Sequence, residues 1–117
     1  MGALTSYGKN LVLDSGLPAN LYAALHTGEP GADGTANEVA GGTPAYARKM
    51  VTLAAASDAA RSITAEVVFD VPAAGVVAFV SLWTAQTGGS CVSIDDVPSE
   101  SYTGQGTYTL TGLSLSI

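Results

Sequence analysis

The sequence contains few charged residues, and basic residues are especially scarce. Only 12% of its 117 residues are charged, with four Lys or Arg against ten Asp or Glu, for a net charge of −6. Proteins that bind nucleic acid or an anionic membrane surface contact phosphates with clustered Lys and Arg. We therefore expect neither partner. A surface with so few charges is typical of a chain that is covered by partner subunits.

Cysteine, histidine and long apolar runs are equally scarce. Cys91 is the single cysteine, so the chain cannot form an internal disulfide. His26 is the single histidine, which excludes a metal site built on two histidines, and we expect no metal and no cofactor. No apolar run reaches the ~18 residues of a membrane span. The N-terminus also lacks the charged and apolar regions of a signal peptide.

Hydrophobic residues nevertheless make up 47% of the chain, which is typical of a folded protein and not of a disordered one. We expect one domain over residues 1–117, with a helix or arm in residues 1–17. Alternating apolar and polar residues predict strands at 20–26, 46–53, 62–69, 76–84, 91–94 and 107–117. The expected class is mainly β, an antiparallel β-sandwich or open barrel of about six strands with one short N-terminal helix.

Three segments carry more specific expectations. Residues 76–84 are apolar on both faces, which predicts a central strand. Residues 95–106 are polar and contain Pro98, which predicts a connection. In the last strand the apolar alternation changes parity at Gly112, which predicts a β-bulge there.

A long loop at residues 27–45 is the most unusual segment of the sequence. It contains five glycines, two prolines and three acidic residues, but no basic residue. This composition excludes a long regular element. Loops of this length are uncommon in folded domains and are usually functional or disordered.

Candidate catalytic residues are few. His26 is the only conventional general base, but the sequence has no G-x-S-x-G elbow for a nucleophile beside it. Cys91 has no Lys, Arg or His nearby in sequence to activate its thiol, so a buried apolar role is favoured. The acidic loop residues do not have the spacing of a calcium loop. We expect no catalytic residue.

Aromatic residues divide between core and surface. Trp83 lies in the most apolar strand, which indicates a core position. Tyr22 and Tyr46 flank the long loop. Tyrosines are common at interfaces in such places, because the ring can pack on apolar groups while the hydroxyl contacts water. A carbohydrate-binding module would instead need an exposed aromatic platform, for which Tyr46 or Tyr102 are the candidates.

Several segments, in order along nearly the whole chain, carry a resemblance to known proteins: residues 21–31, 37–42, 46–48, 80–85, 87–89 and 106–117. They resemble a family of small virion proteins of tailed bacteriophages and prophages. Its members are labelled tail fibre, minor tail or head decoration proteins.

Two positions depart from the family pattern. Pro44 stands shortly before Tyr46, where the pattern has glycine. Gly104-Gln105-Gly106 stands where the pattern has Gly-Asp before the last strand.

The resemblance implies a viral structural protein without enzymatic activity. Our leading expectation is a capsid decoration protein, made in the host cytoplasm, that binds the major capsid protein lattice on the virion surface as a homotrimer. The alternatives are a minor tail, tail fibre or baseplate protein that binds tail proteins, and a module that binds host-surface carbohydrate.

The N-terminal helix and the long loop are expected to contact neighbouring subunits, because a glycine-rich loop can follow the surface of a partner. The predicted interface residues are Leu4, Tyr7, Tyr22, His26, Glu29, Asp33, Asn37, Glu38, Tyr46 and Arg48.

Overall fold

The computed structural model describes residues 2–117, and its backbone is mainly β with a helix at the N-terminal end. The elements in this range are α1 (Ser6–Gly16), β1 (Asn20–His26), β2 (Lys49–Thr52), β3 (Ala60–Ser62), β4 (Val67–Val71), β5 (Val76–Trp83), β6 (Cys91–Ser101), β7 (Gly106–Leu110) and β8 (Ser114–Ser116).

All five strand pairs are antiparallel, and they form three groups of hydrogen-bonded strands. Four strands form a sheet in the order β2–β1–β5–β6, while β4 pairs with β7 and β3 with β8. An isolated bridge between Leu53 and Ile63 links the end of β2 to the segment between β3 and β4. If β3–β4 and β7–β8 are each counted as one interrupted strand, the strands occupy six positions in a sheet that does not close. The predicted mainly β, antiparallel fold is confirmed.

Two predicted strands are interrupted. The strand predicted at 62–69 is divided between β3 and β4, and the last strand is divided into β7 and β8. Residues 63–66 separate β3 from β4, whereas residues 111–113 separate β7 from β8, so one side is one residue longer. Gly112 has a φ of +68°, which turns the backbone between β7 and β8. The prediction of a bulge within one continuous strand was therefore wrong. Leu110 and Leu113 nevertheless both point into the core, as expected from the change in the apolar alternation.

Two other strand boundaries differ from the prediction. Strand β2 begins at Lys49 and not at residue 46, because Tyr46 and Arg48 bind the loop before it. Strand β6 continues to Ser101 through the segment predicted as a polar connection. An edge strand needs partners on one side only, so polar residues and Pro98, which lacks an N–H, are tolerated in it.

The core lies on one face of the four-stranded sheet and beneath β4 and β7. Leu21 and Leu25 of β1 pack there with Phe69 and Leu82. The opposite face of β1 is also buried at Ala24 and His26, because the long loop covers it. As a result, the central strands β1 and β5 are covered on both faces, as was predicted for residues 76–84.

Helix α1 has an inner and an outer face. The Thr5 hydroxyl caps its start by accepting a hydrogen bond from the Gly8 N–H at 3.1 Å. On the inner face Leu13 is buried, while Asn10 and Asp14 accept hydrogen bonds from backbone N–H groups before β3. Within residues 2–117, no helix is long and apolar enough to cross a membrane.

Arg61 of β3 holds the end of α1 against the sheet. Its buried guanidinium donates hydrogen bonds to the carbonyls of Leu13 (3.2 Å), Leu17 (2.9 Å) and Ala54 (2.8 Å). The Oδ1 atom of Asp14 lies 3.7 Å from the Nε atom of Arg61. The last carbonyls of a helix lack intrahelical hydrogen-bond donors and carry partial negative charge. The buried guanidinium supplies both the hydrogen bonds and the positive charge.

We predict that Arg61→Lys lowers the free energy of unfolding by about 2 kcal/mol or more, since an ammonium cannot serve these carbonyls together. Lys9→Arg on α1 is the matched control and should change it by about 0.5 kcal/mol or less. Urea denaturation of both variants tests this, and an equal change in the two would contradict it.

Candidate functional site

The long loop after β1 is anchored at both of its ends. The Thr27 N–H donates to the Asn37 carbonyl at 2.8 Å, and the Val39 N–H donates to the Leu25 carbonyl at 2.9 Å. Glu38 forms an isolated bridge with His26, so the loop returns beside the strand that it leaves. Val39 belongs to the hydrophobic core. The loop is therefore an ordered part of the fold.

His26 connects the loop to the sheet through a buried hydrogen-bond chain. Its Nδ1 lies 2.9 Å from the Ala36 carbonyl, which can only accept, so Nδ1 carries the proton. Its Nε2 lies 2.7 Å from Ser81 Oγ, and in a neutral imidazole with its proton on Nδ1 this nitrogen accepts the hydroxyl proton. The Trp83 indole N–H donates to the same Oγ at 2.6 Å. The chain fixes a neutral imidazole with both nitrogens satisfied.

The position of His26 sets its acid–base behaviour. The side chain is 0% exposed, and this burial lowers the pKa of His26 from its usual 6.5. The hydrogen bond to Ala36 and the charge of Glu38 oppose this shift without reversing it. Its role in the structure is to position the loop.

A second anchor is the ion pair between Glu38 and Arg48. The guanidinium donates from Nε and Nη2 to the two carboxylate oxygens, each at 3.0 Å. The Tyr46 hydroxyl donates to the same carboxylate at 2.8 Å and accepts from the Leu25 N–H at 3.0 Å. Burial alone would raise the pKa of Glu38, but the hydrogen bonds from Arg48 and Tyr46 lower it overall.

Arg48 joins three parts of the chain. Besides Glu38 in the loop, it binds the β5–β6 hairpin by donating to the carbonyls of Ala85 (3.1 Å) and Gly88 (2.9 Å). Its guanidinium carbon lies 4.0 Å from the centre of the Trp83 ring, a cation–π contact with β5. A surface cavity of about 410 Å³ opens beside this cluster. Every polar group of the Arg48 and Glu38 side chains is engaged by the chain itself.

The outer part of the loop is folded by its own short-range hydrogen bonds. Asp33 accepts from the N–H and the hydroxyl of Thr35, and these bonds lower the pKa of its carboxyl. The Asn37 amide donates to the Glu29 carbonyl at 2.9 Å. Gly34 is buried against Cys91 and Trp83. The loop therefore presents the exposed side chains of Glu29, Asp33 and Asn37 on a fixed backbone.

The two departures from the family pattern meet in the structure. Gln105 accepts a hydrogen bond from the Thr43 N–H at 3.2 Å and donates one to the Pro44 carbonyl at 3.1 Å. Gln105 thus holds the turn that contains Pro44. Each departure supplies part of the same contact between the long loop and the β6–β7 connection.

The predicted interface residues fall into three groups by exposure. His26 and Arg48 are buried and act on the surface only by holding the loop. Three residues are half-buried, between the core and the solvent. The remaining five are exposed, near the start of α1 and on the long loop. The half-buried residues are Tyr22, Glu38 and Tyr46, and the exposed residues are Leu4, Tyr7, Glu29, Asp33 and Asn37.

The structure also bears on the aromatic and cysteine predictions. Tyr46 is stacked on Phe69 and Tyr102 donates its hydroxyl to the Thr107 carbonyl, so neither ring is an exposed platform. Trp83 is buried as predicted, whereas Cys91 is half-buried at the start of β6. Burial raises the pKa of the Cys91 thiol. Within residues 2–117, no three His, Cys, Asp or Glu side chains form a metal-binding group.

Sequence reasoning missed Ser81, Arg61 and Gln105. Ser81 carried a signal, since a lone polar residue in an apolar strand needs a buried partner. Arg61 and Gln105 bind segments far away in sequence. No local pattern marks Arg61, and Gln105 stood out only as a departure from the family pattern.

The fold is mainly β, and the loop anchors give it an ordered surface. The chain matches the family described as Podophage GP4 fiber I protein gp80 over residues 4–111, from before α1 to just past β7. The chain therefore belongs to this family of phage fibre proteins. A search of the curated proteins found no match.

Family membership makes the chain a structural component of the phage virion, which confirms the resemblance seen in the sequence. It does not support the leading expectation of capsid decoration. A fibre protein associates with other proteins of the virion, and the family fits the alternative, a tail fibre protein, better.

The packing of Gly34 gives a first prediction for the loop. A β-carbon there would lie 2.6 Å from Cys91 Sγ, whereas one at Gly41 would meet nothing within 4 Å. Both glycines have positive φ, so Gly41→Ala should cost about 1 kcal/mol of stability from backbone strain alone. We expect Gly34→Ala to cost at least about 2 kcal/mol more, from the collision. Thermal denaturation measures both, and equal losses would refute the packing.

The buried His26 gives a second prediction, for pH dependence. Because the pKa of His26 is lower in the folded chain, the unfolded chain binds more protons below 6.5. The stability that His26 contributes is therefore present above this pH and is lost as the pH falls. The free energy of unfolding should decrease between about pH 7.5 and about pH 5.5, and His26→Gln should flatten this slope. Urea titrations at both pH values measure the free energy of unfolding of each protein. If it falls by the same amount in His26→Gln as in the wild type, His26 is not the cause of the pH dependence.

Proposed function

We propose that the chain is a non-enzymatic structural subunit of a phage tail fibre. The observation that carries this is the match to a fibre protein family over residues 4–111. The chemistry of the loop anchors supports it, because the groups best suited to catalysis are used internally. His26 is buried and neutral, and Glu38 is paired with Arg48. We also propose that the chain acts as one domain.

The outer face of α1 is proposed as a contact between copies of the chain. Tyr7 and Leu11 are four residues apart on this face and are 74% and 54% exposed. Leu4, also 54% exposed, lies beside them over Gly8. An exposed apolar stripe on a chain with few surface charges is covered most simply by closed symmetric association, and we propose a homotrimer.

The loop is proposed as a contact with neighbouring virion proteins. Its exposed residues Glu29, Asp33 and Asn37 lie on backbone that is already ordered by internal bonds. Such a loop loses little further conformational entropy when it binds, which favours affinity. His26 and Arg48 contribute to this interface as positioning residues.

The location of the chain in the virion tests the fibre assignment. An image reconstruction of intact particles at side-chain resolution should place the chain in the tail fibres. Density for the chain on the capsid faces would overturn the proposal and restore capsid decoration.

The stripe on α1 gives a prediction for association. We expect the purified chain to sediment as a trimer, and the double variant Leu4→Ser, Leu11→Ser to dissociate, because each serine removes exposed apolar area that a partner would bury. Met50→Ser is the control, since Met50 of β2 is 55% exposed but lies outside α1. Far-UV circular dichroism verifies folding. A monomeric wild type, or equal sedimentation of wild type and double variant, would refute the trimer contact.

A further inference from the structure

The first and last strands of the open sheet face each other across a groove. We call the space between residues 95–98 of β6 and residues 108–114 of β7 and β8 the seam; it encloses about 480 Å³. Strand β6 forms its ladder with β5, β7 with β4, and β8 with β3. The other edges of β6 and β7–β8 line the seam, so the backbone groups on these edges are directed toward it.

Three features prevent β6 and β7–β8 from pairing directly. Pro98 lacks an N–H, and the register between β5 and β6 shifts over residues 97–99. Gly112 turns the chain between β7 and β8. A continuous ladder requires regular backbone on both sides, so the two edges stay apart although only residues 102–105 connect β6 to β7.

The seam has a buried floor and an acidic wall. Leu110 and Leu113, which belong to the hydrophobic core, form the floor, and Val97 packs against the same core. Asp95 and Asp96 of β6 are exposed at its side. Asp95 is paired in register with Val80, a core residue, which directs its carboxylate to the inner side of the edge.

A second copy of the chain is poorly suited to this groove. Of the four basic residues, Arg48 and Arg61 are buried in internal bonds, and Lys9 and Lys49 lie on α1 and β2. Each copy carries a net charge of −6, so two acidic edges would repel each other. The charge of the seam instead complements a positively charged segment.

We propose that the seam binds an extended, basic segment of another virion protein, which adds a strand to β6. The backbone of the segment would pair with the free edge of β6, and its Lys or Arg side chains would reach Asp95 on one face of this edge and Asp96 on the other. Backbone pairing supplies affinity, and the carboxylates select for positive charge. This proposal holds whichever part of the virion contains the chain.

Two synthetic peptides of about eight residues, a length close to that of an ordinary strand, test the proposal. One alternates pairs of Val or Thr with pairs of Lys, which places Lys on both faces of a strand, and the other has Glu in place of Lys. Calorimetry should show that the basic peptide binds, that its affinity falls as salt rises, and that the acidic peptide binds at least tenfold more weakly. Equal binding of the two peptides, or no binding of the basic one, would overturn the proposal.

Matched variants then locate the binding. The double variant Asp95→Asn, Asp96→Asn should bind the basic peptide with at least tenfold lower affinity. Asp58→Asn with Glu66→Gln removes the same charge at exposed sites outside the seam and should weaken it much less. Amide exchange should slow in residues 95–97 on binding. Equal loss in both double variants, or slowed exchange elsewhere only, would contradict the seam as the site.

Discussion

The buried guanidinium of Arg48 is the interaction on which the surface of this protein depends. A charge taken out of water is tolerated only when its hydrogen bonds and its countercharge are supplied together. Here the long loop supplies Glu38, the β5–β6 hairpin supplies two carbonyls, and β5 supplies the ring of Trp83. Because no one of these segments is sufficient alone, the cation ties all three into one arrangement.

This requirement explains why a loop with five glycines is well defined. Glycine makes the unfolded loop more mobile and so increases the entropy that ordering removes. The loss is offset at separate points by His26, by the Glu38 ion pair and by burial of Val39. The anchors leave the acidic outer residues exposed, which divides the loop into a holding part and a presenting part.

Local patterns predicted the elements whose environment is uniform along the chain. The alternation in β1 and the doubly apolar run of β5 identified both strands almost to the residue, and the helix expected within residues 1–17 is α1. The alternation did not predict the interruptions between β3 and β4 and between β7 and β8. These interruptions arise because four residues on one side lie opposite three on the other, and only the pairing of the two segments reveals this difference. Similarly, the sequence grouped His26 and Arg48 with Asp33, although burial depends on how the loop folds back. Polarity and position in a loop do not distinguish a residue that holds a surface from one that forms it.

The arrangement around Trp83 makes the loop visible to optical spectroscopy. The chain has one tryptophan, and its indole lies under a cation while its N–H is bound to Ser81. Detachment of the loop would remove the guanidinium from the ring and expose the indole to water, so the emission of this single fluorophore would report the seating of the loop without any attached label.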